Sequence, residues 1–158
     1  MTSLIIGSDH RGYDLRMAIL DFICPDDKGI KFSLSFPKGI KYDIGLIQNC
    51  KPHGPSKIDS PDVVKEFASS MPIHTHGILI CGSGFGVSTA ANRYKHIRAT
   101  PCRTSKDVEM ARRHGDINVL CLGADFTTKR QAGKLVNTFF TTPFEGGRHK
   151  RRIQKLMA

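Results

Sequence analysis

Tryptophan is absent from this 158-residue chain, tyrosine occurs three times, and only 8% of the residues are aromatic. So few rings leave little on which unpaired bases could stack, and no recognised nucleic-acid motif is present. Long apolar runs are missing too. None approaches the roughly 18 to 20 residues of a membrane span, and the opening Met-Thr-Ser-Leu-Ile-Ile-Gly-Ser-Asp-His reads into a strand rather than a leader. The expectation is a soluble, unexported, cytoplasmic protein. Five cysteines, Cys24, Cys50, Cys81, Cys102 and Cys121, contain no CxxC pair and are odd in number. That argues against a zinc site and against an export-type disulfide framework, and for a reducing compartment. His53, His74, His76 and His96 show no metal-ligand spacing either, and no metal or cofactor is expected.

Acidic residues are scarce, with 14 Asp and Glu against 24 Lys and Arg for a net charge of +10. The imbalance is local: residues 129–158 hold eight Lys and Arg against one Glu. An anionic partner at that end would explain it, and so would a solvated basic helix.

At 17.5 kDa the chain suits one compact domain, 1–158, able to bury about two thirds of its unfolded surface without staples. Short apolar runs alternate with helical patterns. Leu4 to Gly7 precedes a stretch in which Leu15, Ile19, Phe22 and Ile23 recur at helical spacing. Gly77 to Cys81 leads through Gly82-Ser83-Gly84-Phe85-Gly86 into a helix over 87–93. Ile97 to Cys102 precedes a helix that Thr104 or Ser105 can cap. Asn118 to Leu122 precedes one starting near Thr128, and a basic helix is expected near 145–157. Nearly continuous apolar strands separated by helices predict an α/β fold, with a parallel sheet covered on both faces and right-handed crossovers. Between 25 and 60, Pro and Gly break the pattern into short strands or loops, with Lys41 to Leu46 the best strand candidate.

Ligands of open parallel sheets collect at the carboxyl ends of the strands, near a switch in strand order. Two polar groups fall there, Ser8-Asp9-His10 and the turn Cys81 to Gly86. Glycines in that turn allow several amide N–H groups to converge on a phosphate or oxyanion, although a tight strand-to-helix connection would look the same. The P-loop is excluded because GK[ST] is missing. Cys81 can serve as base or nucleophile, whereas Cys102 and Cys121 lie in apolar strands as small hydrophobes. Asp9-His10 suits proton shuttling or a capping turn. His114 sits at a helix end, where a C-cap is the plainer reading. Arg148 and Arg152, four residues apart, share a helical face and could grip a phosphate together.

These signatures resemble the type B ribose-5-phosphate isomerase family, which also includes galactose-6-phosphate isomerase subunits. The matching segments are Gly7-Ser8-Asp9-His10-Arg11-Gly12, Ile80 to Ser88 with Ala90-Ala91-Asn92, Ile97-Arg98-Ala99, Ala111 to Asp116 with Asn118-Val119-Leu120, and Phe144 to His149 with Arg152. They follow family order over nearly the whole chain, apart from 25–58. The resemblance implies a three-layer, Rossmann-like α/β/α sandwich on a mainly parallel sheet of about five strands, a homodimer whose site lies between subunits, and metal-free aldose–ketose isomerisation of ribose 5-phosphate and ribulose 5-phosphate through an enediolate, a step of the pentose phosphate pathway. It implies Cys81 as the base at C2 and C1, the amides from Gly82 through Gly84 to Gly86 around the enediolate oxygen, and Asp9 and Ser83 handling hydroxyl protons. It further implies that His114 assists ring opening, that His10, Arg148 and Arg152 bind phosphate, and that Ser88 lines the substrate site.

The chain departs from the family where Ser60 replaces a common Tyr, Gly115 a common Asn and Asp125 a frequent Arg. Val87 stands where some relatives carry a Glu base, which leaves Cys81 as the candidate. A hexose 6-phosphate of allose or galactose type is the alternative substrate, and a basic nucleic-acid-binding module is the competing reading from another class.

Overall fold

A computed structural model of the chain describes residues 2–23, 32–35, 41–50, 57–73 and 75–158. Strands β1 (Thr2–Ser8), β2 (Phe32–Ser35), β3 (Lys41–Cys50), β4 (His76–Cys81), β5 (Ala99–Pro101) and β6 (Val119–Gly123) form one sheet in the order β2-β3-β1-β4-β6-β5. Five run parallel, and β2 pairs antiparallel with β3 at one edge. The sixth strand lies inside the segment read as irregular, 25–60, about half of which falls outside the described residues. At the other edge, β5 is shorter than the apolar run 97–102 suggested and ends on Pro101, which cannot donate to a ladder and suits an edge.

Helices α1 (Tyr13–Ile23), α2 (Ser60–Ser70), α3 (Phe85–Ala91), α4 (Ser105–Gly115), α5 (Lys129–Thr141) and α6 (Arg148–Met157) complete the chain order. Side chains alternate across a strand, so each apolar run feeds two cores. Leu4, Ile6, Ile78, Ile80, Leu120 and Leu122 meet residues of α1, α4 and α5, including Ile19, Val108 and Phe139. Ile5, Leu79, Val119 and Cys121 face the other way, toward Val64 and Phe67 of α2 and Val87 of α3. This is why the strands read as continuous rather than alternating, and it is the expected α/β/α layering.

Two helices carry reciprocal caps. Thr104 accepts from the Asp107 amide and Thr128 from that of Gln131, while both partners answer the cap amide. α2 was not foreseen, although Pro61 in its first turn and buried Val63, Val64, Phe67 and Ala68 at helical spacing signal it. On α1, Leu15, Ile19 and Ile23 are buried as expected, but Phe22 is half exposed over Gly133 at the rim.

Candidate active site

Chemistry-bearing side chains gather at both ends of the sheet. At the carboxyl end, β1 and β4 are neighbours whose connections leave in opposite directions, which makes the gap between them the switch point. Ser8 pairs with Ile80 across that gap and the Asp9 amide donates to the Ile80 carbonyl at 3.1 Å, so Asp9 and Cys81 stand level. Cys81 closes β4, is buried, and its Sγ accepts the Gly84 amide at 3.1 Å. Gly84 turns the chain with φ of +83°, a conformation that glycine adopts without a Cβ clash. Within the turn, Ser83 Oγ accepts the Phe85 amide at 3.2 Å. Two amides of the expected oxyanion cradle thus already serve side chains of the turn itself.

Asp9 is buried, and its Oδ1 accepts the amides of Arg11 and Gly12 at 2.9 and 3.1 Å. It caps the turn through one oxygen and leaves Oδ2 for other partners. The His10 ring presents Nδ1 to the backbone of Ile58, just ahead of α2. Ser60, at the start of α2, places its Oγ 3.4 Å from where a Cβ on Gly86 would stand, so this departure from the family sits at the site. Ser88 is buried and donates to the Ala99 carbonyl at 3.4 Å, which ties α3 to β5. Beneath the turn, β6 approaches so closely that a Cβ on Gly123 would stand 2.5 Å from the Ser83 carbonyl oxygen.

Sequence reasoning missed one element of this end. Arg11 Nη2 meets both carboxylate oxygens of Asp125, at 2.7 and 2.5 Å, and its guanidinium lies over Gly82. The charge inversion at 125 therefore comes with its own counter-ion. Both groups are about half exposed, so the pair adds little stability. Its effect is geometric, joining the turn after β1 to the turn after β6.

His114, Arg148 and Arg152 are elsewhere. α4 starts beyond β5 at the carboxyl end and runs back to the start of β6, so His114 stands at the amino end of the sheet. Eleven helical residues cover roughly 16 Å, and the five residues of β6 about as much. The C-cap is not His114 but Asp116, which takes the left-handed conformation with φ of +43° and ion-pairs with Arg98 and Arg112. Freed from capping, the His114 ring stacks flat on His149, with centroids 4.3 Å apart and planes at 4°. Glu145 Oε2 lies 3.3 Å from His114 Nε2 and 3.6 Å from His149 Nε2, while Arg113 holds its Oε1 at 2.6 Å. The Arg113 hydrogen bond keeps the Glu145 carboxyl below its usual range. Burial, with His114 and Arg148 nearby, lowers His149. Arg148 and Arg152 are exposed on α6 and unpaired among the described residues.

His114, Glu145 and His149 offer three ligand atoms within 4.8 Å of one another. Nitrogen lone pairs lie in the ring planes, however, and parallel stacked rings do not aim theirs at one point, so a single ion would require one ring to turn. The remaining described cysteines suit packing: burial pushes Cys102 up to about 12 and raises Cys121 further.

A family model described as Ribose/Galactose Isomerase matches residues 4–156. A Rickettsia conorii protein bearing the provisional name of a sugar phosphate isomerase is 34% identical over 98% of this chain and 96% of its own. The structure of ribose 5-phosphate isomerase B from Anaplasma phagocytophilum superposes with a TM-score of 0.82 at 32% identity, covering 99% of this chain and 97% of that one. The Mycoplasma genitalium ribose-5-phosphate isomerase B, solved with bound ribulose 5-phosphate, does so with a TM-score of 0.79 at 31% identity, covering 99% and 94%.

Proposed function

The chain belongs to the ribose/galactose isomerase family, and on that basis we propose that this sugar-phosphate isomerase interconverts ribose 5-phosphate and ribulose 5-phosphate through an enediolate, within one domain spanning 1–158. Cys81 takes the proton from C2 of the open-chain aldose and returns it to C1. The Gly84 N–H, 3.1 Å from Sγ, fixes the position of the sulfur for this step. Asp9, level with Cys81, and Ser83 move protons on the hydroxyl oxygens as the carbonyl shifts from C1 to C2. The amides of Gly82 to Gly86 that remain unpaired meet the oxygen charge of the enediolate, a role that often carries the largest share of acceleration. Ser88 contributes to the wall from α3. His114 assists ring opening, and His10, Arg148 and Arg152 take the phosphate.

The observation that carries this reading is the pairing of Cys81 with Asp9 at the strand-order switch. The distance from there to His114 asks for a second copy. One pentose phosphate does not reach both ends of the sheet, so His114 and the α6 arginines would serve the partner's Cys81 in a homodimer. Exposed Phe85 and Phe126, with Arg103 stacked 3.9 Å from the Phe126 ring centroid, lie beside the glycine turn and suit a covered face. Two copies related by a two-fold axis would complete two sites at once.

Cys81→Ala tests the chemistry. It is expected to lower kcat by at least the roughly 10²–10⁴ of general acid–base catalysis while substrate still binds. Retention of more than about a tenth of wild-type kcat, far above that range, would return the base assignment to Asp9. Parallel assays with allose and galactose 6-phosphates settle sugar preference.

A further inference from the structure

His114 is only as useful as its orientation and its tolerance of charge, and the groups around it bear on both. Its ring is backed by His149, which is buried and parallel to it. Glu145 lies against Nε2 of both rings, and Arg113 anchors the same carboxylate from the other oxygen. The anchor is itself fixed: Arg113 Nη1 meets Glu109 at 3.0 Å, and the Glu145 amide donates to the Arg113 carbonyl at 3.1 Å. Arg148 and Arg152 on α6 add positive charge near His149. Among the described residues, Glu145 is the one anion touching either imidazole.

We propose that Glu145 is a positioning residue for ring opening, holding the His114 ring in place and balancing the charge it acquires. This deepens the reading above and rests on His114 acting there. In ring opening, His114 takes the O1 proton of the cyclic hemiacetal, the C1–O4 bond breaks as C1=O1 forms, and the same proton passes to O4. His114 is transiently an imidazolium in a field of arginines. A carboxylate 3.3 Å from Nε2 offsets that field and leaves Nδ1 as the nitrogen for the substrate. A third group that orients and stabilises a working histidine is a recurring arrangement. Glu145 never meets the reacting atoms.

The test separates ring opening from isomerisation by choice of substrate. Ribose 5-phosphate is mostly cyclic; 4-deoxyribose 5-phosphate lacks the O4 hydroxyl and cannot close, so it bypasses His114. Glu145→Leu is expected to lower kcat/KM for ribose 5-phosphate on the order of tenfold to a hundredfold, the loss known for carboxylates that orient metal-bound histidines. The open-chain analogue should react at nearly the wild-type rate. Glu145→Asp, which keeps the charge, should recover part of the loss. If Glu145→Leu slows both substrates by the same factor, the role is merely structural and the proposal fails. Should Glu145→Leu not fold, the isosteric Glu145→Gln carries the same comparison with the same two outcomes. His114→Asn distinguishes the two levels of argument. Full activity of that variant on ribose 5-phosphate overturns the reading of His114 and the proposal with it. An inactive His114→Asn beside a substrate-blind Glu145→Leu overturns the proposal alone.

Discussion

The two ends of the sheet are built on opposite principles. At the carboxyl end the proposed working parts are backbone amides, a thiol and one carboxylate, set in turns so tight that Gly84 needs a positive φ and Gly123 has no room for a Cβ. At the amino end they are the long charged side chains of Arg113, Glu145, Arg148 and Arg152 around the stacked rings of His114 and His149. The first end is preorganised by the main chain and tolerates almost no displacement. The second is held by ion pairs around two rings and can adjust. Proton abstraction at carbon gains from fixed geometry, whereas gripping a phosphate gains from charge, and on the proposed reading the molecule separates the two accordingly.

The largest expected effect comes from recombining the ends. Cys81→Ala and His114→Asn chains, each inactive alone, should regain about a quarter of wild-type activity when mixed one to one and allowed to exchange. Half of the two-fold dimers are then mixed, and each carries one intact site. No recovery after exchange has been verified by mass spectrometry would mean that each chain closes its own site.

Next is rigidity at the carboxyl end. Gly123→Ala would press on the Ser83 carbonyl from 2.5 Å, and a shift of the catalytic turn approaching 1 Å costs about 10² in rate. Its kcat should collapse while the chain still folds, with thermal unfolding lowered by the overlap with the Ser83 backbone. An unchanged kcat would show the turn to be soft.

Arg148→Ala or Arg152→Ala should raise KM for ribose 5-phosphate by roughly one to two decades, the worth of a charged hydrogen-bond partner. Lys129, Arg130 and Lys134 on α5 are exposed, and screened surface charges contribute little, so their alanine variants should be nearly silent. Equal small effects at all five positions would replace the clamp with a diffuse field.

A smaller effect concerns stability at the amino end. His76, at the start of β4, packs its ring against Phe139 and Phe140, and its Nδ1 is buried without a hydrogen bond. Burial, with Arg112 nearby, pushes it from 6.5 down to about 4. The unfolded chain therefore binds a proton that the folded one refuses. The contribution is complete above pH 6.5 and is lost as pH falls toward 4, amounting to about 2 kcal/mol between pH 7 and pH 5. Urea unfolding of His76→Phe should lack this part of the pH dependence. An identical pH slope would place the sensitivity elsewhere.

The same contrast explains what the sequence disclosed. Local backbone features were legible: the glycine turn after β4, the Thr104 and Thr128 caps, and the apolar runs that became β1, β4 and β6. So is α2, where Pro61 and the helical spacing of Val63, Val64, Phe67 and Ala68 stand directly behind a Pro- and Gly-rich stretch that masks them. The strand β2 left no such trace, because four residues among breakers carry too little periodicity. Contacts between distant side chains were invisible. Glu145 meets His114 across 31 positions and Arg11 meets Asp125 across 114, and no local spacing rule links such pairs.

The placement of His114 at the far end of the sheet from Cys81 also has a consequence for quantity. On the proposed assembly, a lone protomer carries every group the reaction needs and can use none of them together. Activity per molecule would then depend on how many molecules share the solution, falling away on dilution past the dimer's dissociation constant and returning on concentration. Abundance itself would act as the enzyme's switch.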